Sequence, residues 1–147
     1  MTTPGVPLSG GKTVDQVDPT NSLTLHAEQS GLSVAAALFS TRTVGAPVTA
    51  ANGAYLGFIN EYDVLKMLEM GRDLKTLQAQ DIMRQDRLVI APSTTIFDAV
   101  KIMEQHGVVG LPVERNGVVI YSVTRHDLLR ALVSGDLWKL SGDEDFD

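Results

Sequence analysis

Val108-Val-Gly-Leu-Pro-Val113, the polar turn 114–117, Val118-Val-Ile-Tyr-Ser-Val123 and then Thr124-Arg-His-Asp127 form the stretch on which the fold is decided. Two apolar runs joined through Asn116-Gly117 specify a β-hairpin, because Asn and Gly accept the positive φ that tight hairpin turns demand. Thr124 stands where the second strand gives way to the apolar-periodic Leu128, Leu129 and Leu132. A hydroxyl residue followed three positions later by an acid marks a helix start.

The same pattern is written once more upstream. Thr43-Val-Gly-Ala-Pro-Val48 leads through Asn52-Gly53 and 54–59 to Asn60-Glu-Tyr-Asp63, then Val64, Leu65 and Leu68. Asp63 and Asp127 lie 64 positions apart (127 − 63), and Pro47 and Pro112 lie 65 apart (112 − 47). The first hairpin therefore carries one extra residue. Ahead of each proline runs an amphipathic segment. Ile96, Ala99, Val100 and Met103 follow the helical i, i+3, i+4, i+7 rule, and Gly31, Val34, Ala35 and Leu38 are their counterparts.

The chain is thus read as α+β, with β-α-β-β-α written twice. In the first copy the pattern predicts a strand over 22–26, a helix over 31–42, the hairpin and a helix over 61–70. A connecting segment over 74–83 holds one or two helical turns. The second copy predicts a strand over 88–90, a helix opened by Pro92-Ser-Thr-Thr and closed by Gly107, the hairpin, and a helix from Arg125 to about Ser134. Residues 1–20 read as a flexible arm, 21–80 and 81–140 as the two repeats, and 141–147 as an acidic tail.

Composition removes several classes of function. A net charge of −6 disfavours a general nucleic-acid binder, which needs a basic surface for the phosphates. No apolar run approaches the ~20 residues of a membrane helix, so membrane insertion is not expected. The first residues lack the basic cluster and apolar core of a signal peptide. Absence of cysteine rules out disulfides and suits a cytoplasmic location. Gly10-Gly-Lys-Thr13 imitates the end of a phosphate-binding loop, but Val6 occupies the position of its first glycine. His26, His106 and His126 have no metal-ligand spacing, and no serine sits in a nucleophile-elbow setting, so neither a metal site nor an enzyme is expected.

The double pattern of amphipathic helix, Gly-apolar-Pro-Val, Asn-Gly turn, strand and Thr-x-x-Asp resembles the CBS domain, named for cystathionine β-synthase. Asp81-Ile-Met83 resembles the family's linker signature. The resemblance covers about 21–140. It implies two repeats packed as one pseudo-two-fold module, a homodimer, and adenosine-type ligands in two clefts between the repeats. It also implies a regulatory role toward a partner protein rather than catalysis. The expected ligand is an adenine nucleotide such as AMP, ADP or ATP, with S-adenosylmethionine, NAD or a cyclic dinucleotide as alternatives. The rival reading is a ligand-free dimerisation or scaffolding module.

The resemblance also assigns site residues. In the second copy Asp127 and Thr124 are implied to hold the ribose, with Ser122 beside them. Arg125 and His126 lie next to the helix start, whose free N–H groups and dipole favour a phosphate. Val108 and Val109 face the base, and Met83 and Leu88 close the other side. The first-copy positions are Asn60, Asp63, Phe58, Thr43 and Val44, with Leu23 and Asp18 from the preceding arm. Asn60 departs from the family's Ser or Thr, and Phe58 either stacks on a base or fills its cleft. Tyr121 stands where the first copy keeps the small Gly57. Set against these roles, a Thr with an acid three residues on also serves as a plain helix cap, an arrangement worth ~1 kcal/mol.

Overall fold

A computed structural model of the chain describes residues 12–20 and 22–140. The first repeat comprises β1 (Leu25–His26), α1 (Gly31–Thr41), β2 (Gly45–Thr49), β3 (Tyr55–Asn60) and α2 (Glu61–Glu69). The short helix α3 (Ala79–Ile82) leads into the second repeat: α4 (Ile96–His106), β4 (Gly110–Arg115), β5 (Val118–Thr124) and α5 (Arg125–Leu140). One sheet has the order β1-β2-β3, with β1 parallel to β2 and β2 antiparallel to β3; the other pairs β4 with β5. The mixed α+β architecture expected from the duplication is the one observed.

Local chemistry accounts for the boundaries. Ser30 and Thr95 cap α1 and α4 by accepting from the backbone N–H three residues on. Gly107 ends α4 at φ 64°, and Asn116 (φ 54°) with Gly117 (φ 80°) makes the tight turn of the second hairpin. The strand expected over 88–90 contracts to one parallel bridge, Ile90 to Val113. Ile90 donates to Pro112 O at 3.0 Å and accepts from Glu114 N at 2.8 Å. Extending that ladder in either direction falls to the nitrogens of Pro92 and Pro112, which carry no hydrogen. The last helix runs on to Leu140 instead of ending near Ser134.

Two apolar cores result, and each is completed by a segment from outside its own repeat. Leu74, Leu77, Ala79 and Ile82, just ahead of the second repeat, pack with Leu25, Val34, Val48 and Ile59 of the first. Val14 and Val17, ahead of the first repeat, pack with Ile96, Leu111, Val113 and Leu128 of the second. Matching backbone bonds pin both crossings: Gly31 N to Leu77 O at 2.7 Å, and Ile96 N to Lys12 O at 3.0 Å. Val14 and Val17 are therefore part of the second core, which corrects the expectation of a flexible arm over 12–20. The rest of that arm and the acidic tail lie outside the described residues.

The crossings are not identical. Phe58 and Arg84 exchange two backbone bonds (Phe58 N to Arg84 O 2.9 Å; Arg84 N to Phe58 O 2.8 Å), so the 83–84 segment lies tight against β3. A Cβ on Gly57 would stand 2.4 Å from Arg84 O. At the equivalent place Tyr121 reaches the other way, its hydroxyl donating to Val14 O at 3.1 Å. Gly57 is small because a backbone passes over it, and Tyr121 is large because it holds the arm.

Two substitutions test this architecture. Gly57→Ala should lower stability by roughly 1–3 kcal/mol, the usual range for overpacking against backbone. Val14→Ala should cost about 2 kcal/mol if the side chain is a core member, and nothing measurable if the arm is loose. Thermal or urea denaturation of the two variants reads both values.

Candidate functional site

The starts of α2 and α5 are built alike. Asp63 accepts from Asn60 N at 2.9 Å and its own N–H donates to Asn60 Oδ1 at 2.8 Å. Asp127 accepts from Thr124 N at 3.0 Å and its N–H donates to Thr124 Oγ1 at 3.1 Å. These are reciprocal capping boxes. The second carboxylate oxygen of each acid is engaged as well. Arg84 Nε meets Asp63 Oδ1 at 3.0 Å, while Thr20 N donates to Asp127 Oδ1 at 3.2 Å with Arg130 3.6 Å away. Thr20 and Arg84 are themselves 64 positions apart (84 − 20) and belong to the two crossing segments.

Beside each helix start opens a cleft between the repeats. The first, about 290 Å³, is walled by Asn60, Glu61 and Tyr62 on one side and by Val108, Val109 and Gly110 on the other. Phe58 and Leu88 contribute apolar surface, and Tyr55, Arg84 and Asp86 supply polar groups. The second, about 430 Å³, is walled by Thr124, Arg125 and His126 opposite Thr41, Arg42, Thr43 and Val44, with Thr20 and Val109 alongside. The clefts are related by the 64–65 residue offset: Glu61 answers Arg125, Tyr62 answers His126, and Gly107 answers Arg42. Both are large enough to take much of a small ligand.

The CBS-domain profile matches residues 79–134. An uncharacterized protein of Methanocaldococcus jannaschii, MJ1426, is 30% identical over 60% of this chain and 73% of its own length. This chain belongs to the CBS-domain family. Its backbone superposes on the CBS domain pair of MJ0100, crystallised with 5′-methylthioadenosine and S-adenosyl-L-methionine (TM-score 0.74, 21% identity, 85% of this chain and 98% of that one). It also resembles CBSX2 in complex with AMP, with a TM-score of 0.73, 25% identity, and coverage of 86% of this chain and 99% of that one.

Within this CBS pair the expected site residues distribute unevenly. Thr124, Arg125, His126, Thr43 and Val44 share the second cleft, although the last two come from the first repeat. Asn60, Phe58, Leu88, Val108 and Val109 share the first, again across repeats. Each cleft is therefore bounded by the helix start of one repeat and the pre-strand loop of the other, not by one repeat alone. Phe58 forms part of the wall. Met83 and Leu23 pack against the first core instead. Asp18 is exposed, and its carbonyl accepts from Arg130. Ser122 Oγ is buried without a hydrogen-bond partner. Asp63 and Asp127 sit beneath their clefts rather than on the lining, with Asp127 0% exposed.

Arg42, Glu61, Tyr55, Arg84 and Asp86 line the clefts without having been singled out from the sequence. The 64-residue offset would have paired Arg84 with Thr20, but nothing local marks either as a carboxylate partner. Among the described residues no cluster of His, Cys, Asp or Glu could hold a metal ion, and no helix is long and apolar enough to cross a membrane.

Burial of Asp127 alters what its amide should do. A carboxylate accepts from both Thr124 N and Thr20 N; an asparagine offers one oxygen and turns its NH₂ toward a second donor. Asp127→Asn is expected to cost ~1–3 kcal/mol through an unsatisfied buried donor. A thermal melt unchanged from wild type would mean that this cap does not hold the arm.

Proposed function

We propose that the chain is a regulatory module that binds an adenine nucleotide (AMP, ADP or ATP) in the cleft walled by Thr124, Arg125 and His126. The supporting observation is the charge of that cleft. Its lining holds two arginines, Arg42 and Arg125, from opposite repeats, three further threonine hydroxyls beside Thr124, and no acid. Neither guanidinium belongs to an ion pair among the described residues. A phosphate placed between them would gain charge-assisted bonds from both walls, at the positive end of the α5 dipole.

The CBS-pair neighbours crystallised with AMP and with adenosyl compounds agree with this ligand class. Because the walls come from different repeats, an occupant couples the repeats to each other. That coupling is the means by which binding would change the module's outer surface and thereby a partner's activity. The reading includes a cytoplasmic setting and no catalysis of its own.

The assembly we propose is a homodimer formed through the helices. Leu32 and Leu65 on α1 and α2 are 49% and 59% exposed, and their counterparts Phe97 and Leu129 on α4 and α5 are 39% and 59% exposed. Between α4 and α5 runs an apolar groove of about 760 Å³ lined by Phe97, Val100, Met103, Leu128, Leu129 and Leu132. Such pseudo-equivalent apolar faces suit an isologous interface.

Arg125→Ala should weaken AMP by roughly tenfold or more, the range for losing one charged hydrogen bond. The melting temperature without ligand should stay nearly unchanged, since the side chain is exposed. Isothermal titration and scanning fluorimetry read the two quantities; a wild-type protein that no adenosyl compound binds or stabilises would leave the scaffolding role instead. Light scattering at micromolar concentration should return a dimer mass, and a monomer would count against the helical interface.

A further inference from the structure

Helices α1 and α4 end in the same way. Thr43 N donates to Leu38 O at 3.1 Å, and Val108 N donates to Met103 O at 3.1 Å. This closure puts the residue before each donor in the left-handed region. After α4 that residue is Gly107, at φ 64° and ψ 32°. After α1 it is Arg42, at φ 55° and ψ 37°.

Space does not explain the difference. A Cβ placed on Gly107 would meet nothing within 4 Å, so glycine stands there for its backbone freedom alone. An arginine in this conformation brings its Cβ too close to the following carbonyl oxygen. Asn116, the other non-glycine at positive φ among the described residues, is of a type that tolerates the region. The α1 dipole favours a cation at this end, but any base on the last turn would share that gain without occupying the left-handed position. A backbone cost kept at one residue points to a function for its side chain. Arg42 lines the second cleft on the wall supplied by the first repeat, with Arg125 on the other wall.

Resting on the nucleotide reading of the second cleft, we infer that Arg42 is its specificity-determining residue. It selects a ligand that carries a phosphate over the same nucleoside without one, and the chain keeps it at a left-handed position at a cost in stability. The planar guanidinium fork matches two oxygens of one phosphate, which a single ammonium does not. Arg125 reaches the same group from the second repeat. A nucleoside without the phosphate leaves both guanidiniums unpartnered and has no charged group to tie one wall to the other. Selection of the ligand and coupling of the repeats therefore meet in one side chain.

The test titrates AMP and adenosine calorimetrically into the full chain as wild type, Arg42→Gln and Arg42→Gly, with a ligand-free melting curve of each. Arg42→Gln removes the charge and keeps both a long side chain and the left-handed cost. It should weaken AMP by roughly tenfold or more and leave adenosine within about twofold. Arg42→Gly should lose AMP affinity to the same extent while its ligand-free melting temperature rises by about 2–4 °C. A preference for AMP over adenosine that Arg42→Gln leaves unchanged overturns the inference, with nucleotide binding in the cleft still standing. Equal weakening of both compounds assigns Arg42 to the shape of the cleft and overturns it too. An Arg42→Gly protein that melts at or below the wild-type temperature shows that the arginine stabilises the helix end, which overturns the cost. A wild type that binds neither compound removes the nucleotide reading itself.

Discussion

The exchange of leading segments between repeats is the constraint from which the rest of this molecule follows. Each sheet and its two helices leave one side of an apolar core open, and neither copy closes its own. Leu77 and Ile82 cover the first, Val14 and Val17 the second. The same two crossings deliver Arg84 to Asp63 and the Thr20 amide to Asp127, so the carboxylates that cap α2 and α5 also anchor the incoming chain. Core closure, helix capping and the positioning of both clefts are consequently one connected set of contacts.

This arrangement also determines what a ligand can sense. Each cleft has one wall from each repeat: Arg125 faces Arg42 in one, and Asn60 faces Val108 in the other. An occupant that binds both walls stabilises one relative placement of the repeats over others, which is the differential affinity that a population shift requires. The helical faces bearing Leu65 and Leu129 begin only a few residues from those walls. Under the proposed function, a shift at the cleft would reach those faces through α2 and α5.

Much of the fold was legible because its signals are local. The hairpins were readable from Asn52-Gly53 and Asn116-Gly117, and the helix starts from Asn60/Asp63 and Thr124/Asp127, since both motifs fix their geometry within four residues. What escaped depends on distant partners. The strand at 88–90 has suitable residues, but two prolines leave its ladder without donors. Residues 12–20 have little periodicity of their own and are ordered by a core formed more than seventy positions later. For the clefts, Asn60, Thr124, Arg125 and His126 line the cavities, whereas Asp63 and Asp127 do not. Thr-x-x-Asp describes a cap and a ligand site equally well, and only burial shows Asp127 beneath the lining. Tyr55 and Asp86 carried no motif at all, and they meet at the first cleft from segments thirty-one positions apart (86 − 55).

The crossing of Val14 has a consequence for biosynthesis. Val14 and Val17 are synthesised before either repeat, yet the core they complete includes Leu128 on the last described helix. The first repeat is in the opposite position. Its closing segment, Leu74 to Ile82, follows it directly off the ribosome. The nascent chain can therefore finish its first repeat early, while Val14 and Val17 stay unclaimed until α5 has been made. Any factor that acts on the growing chain would find Val14 and Val17 accessible until α5 has emerged.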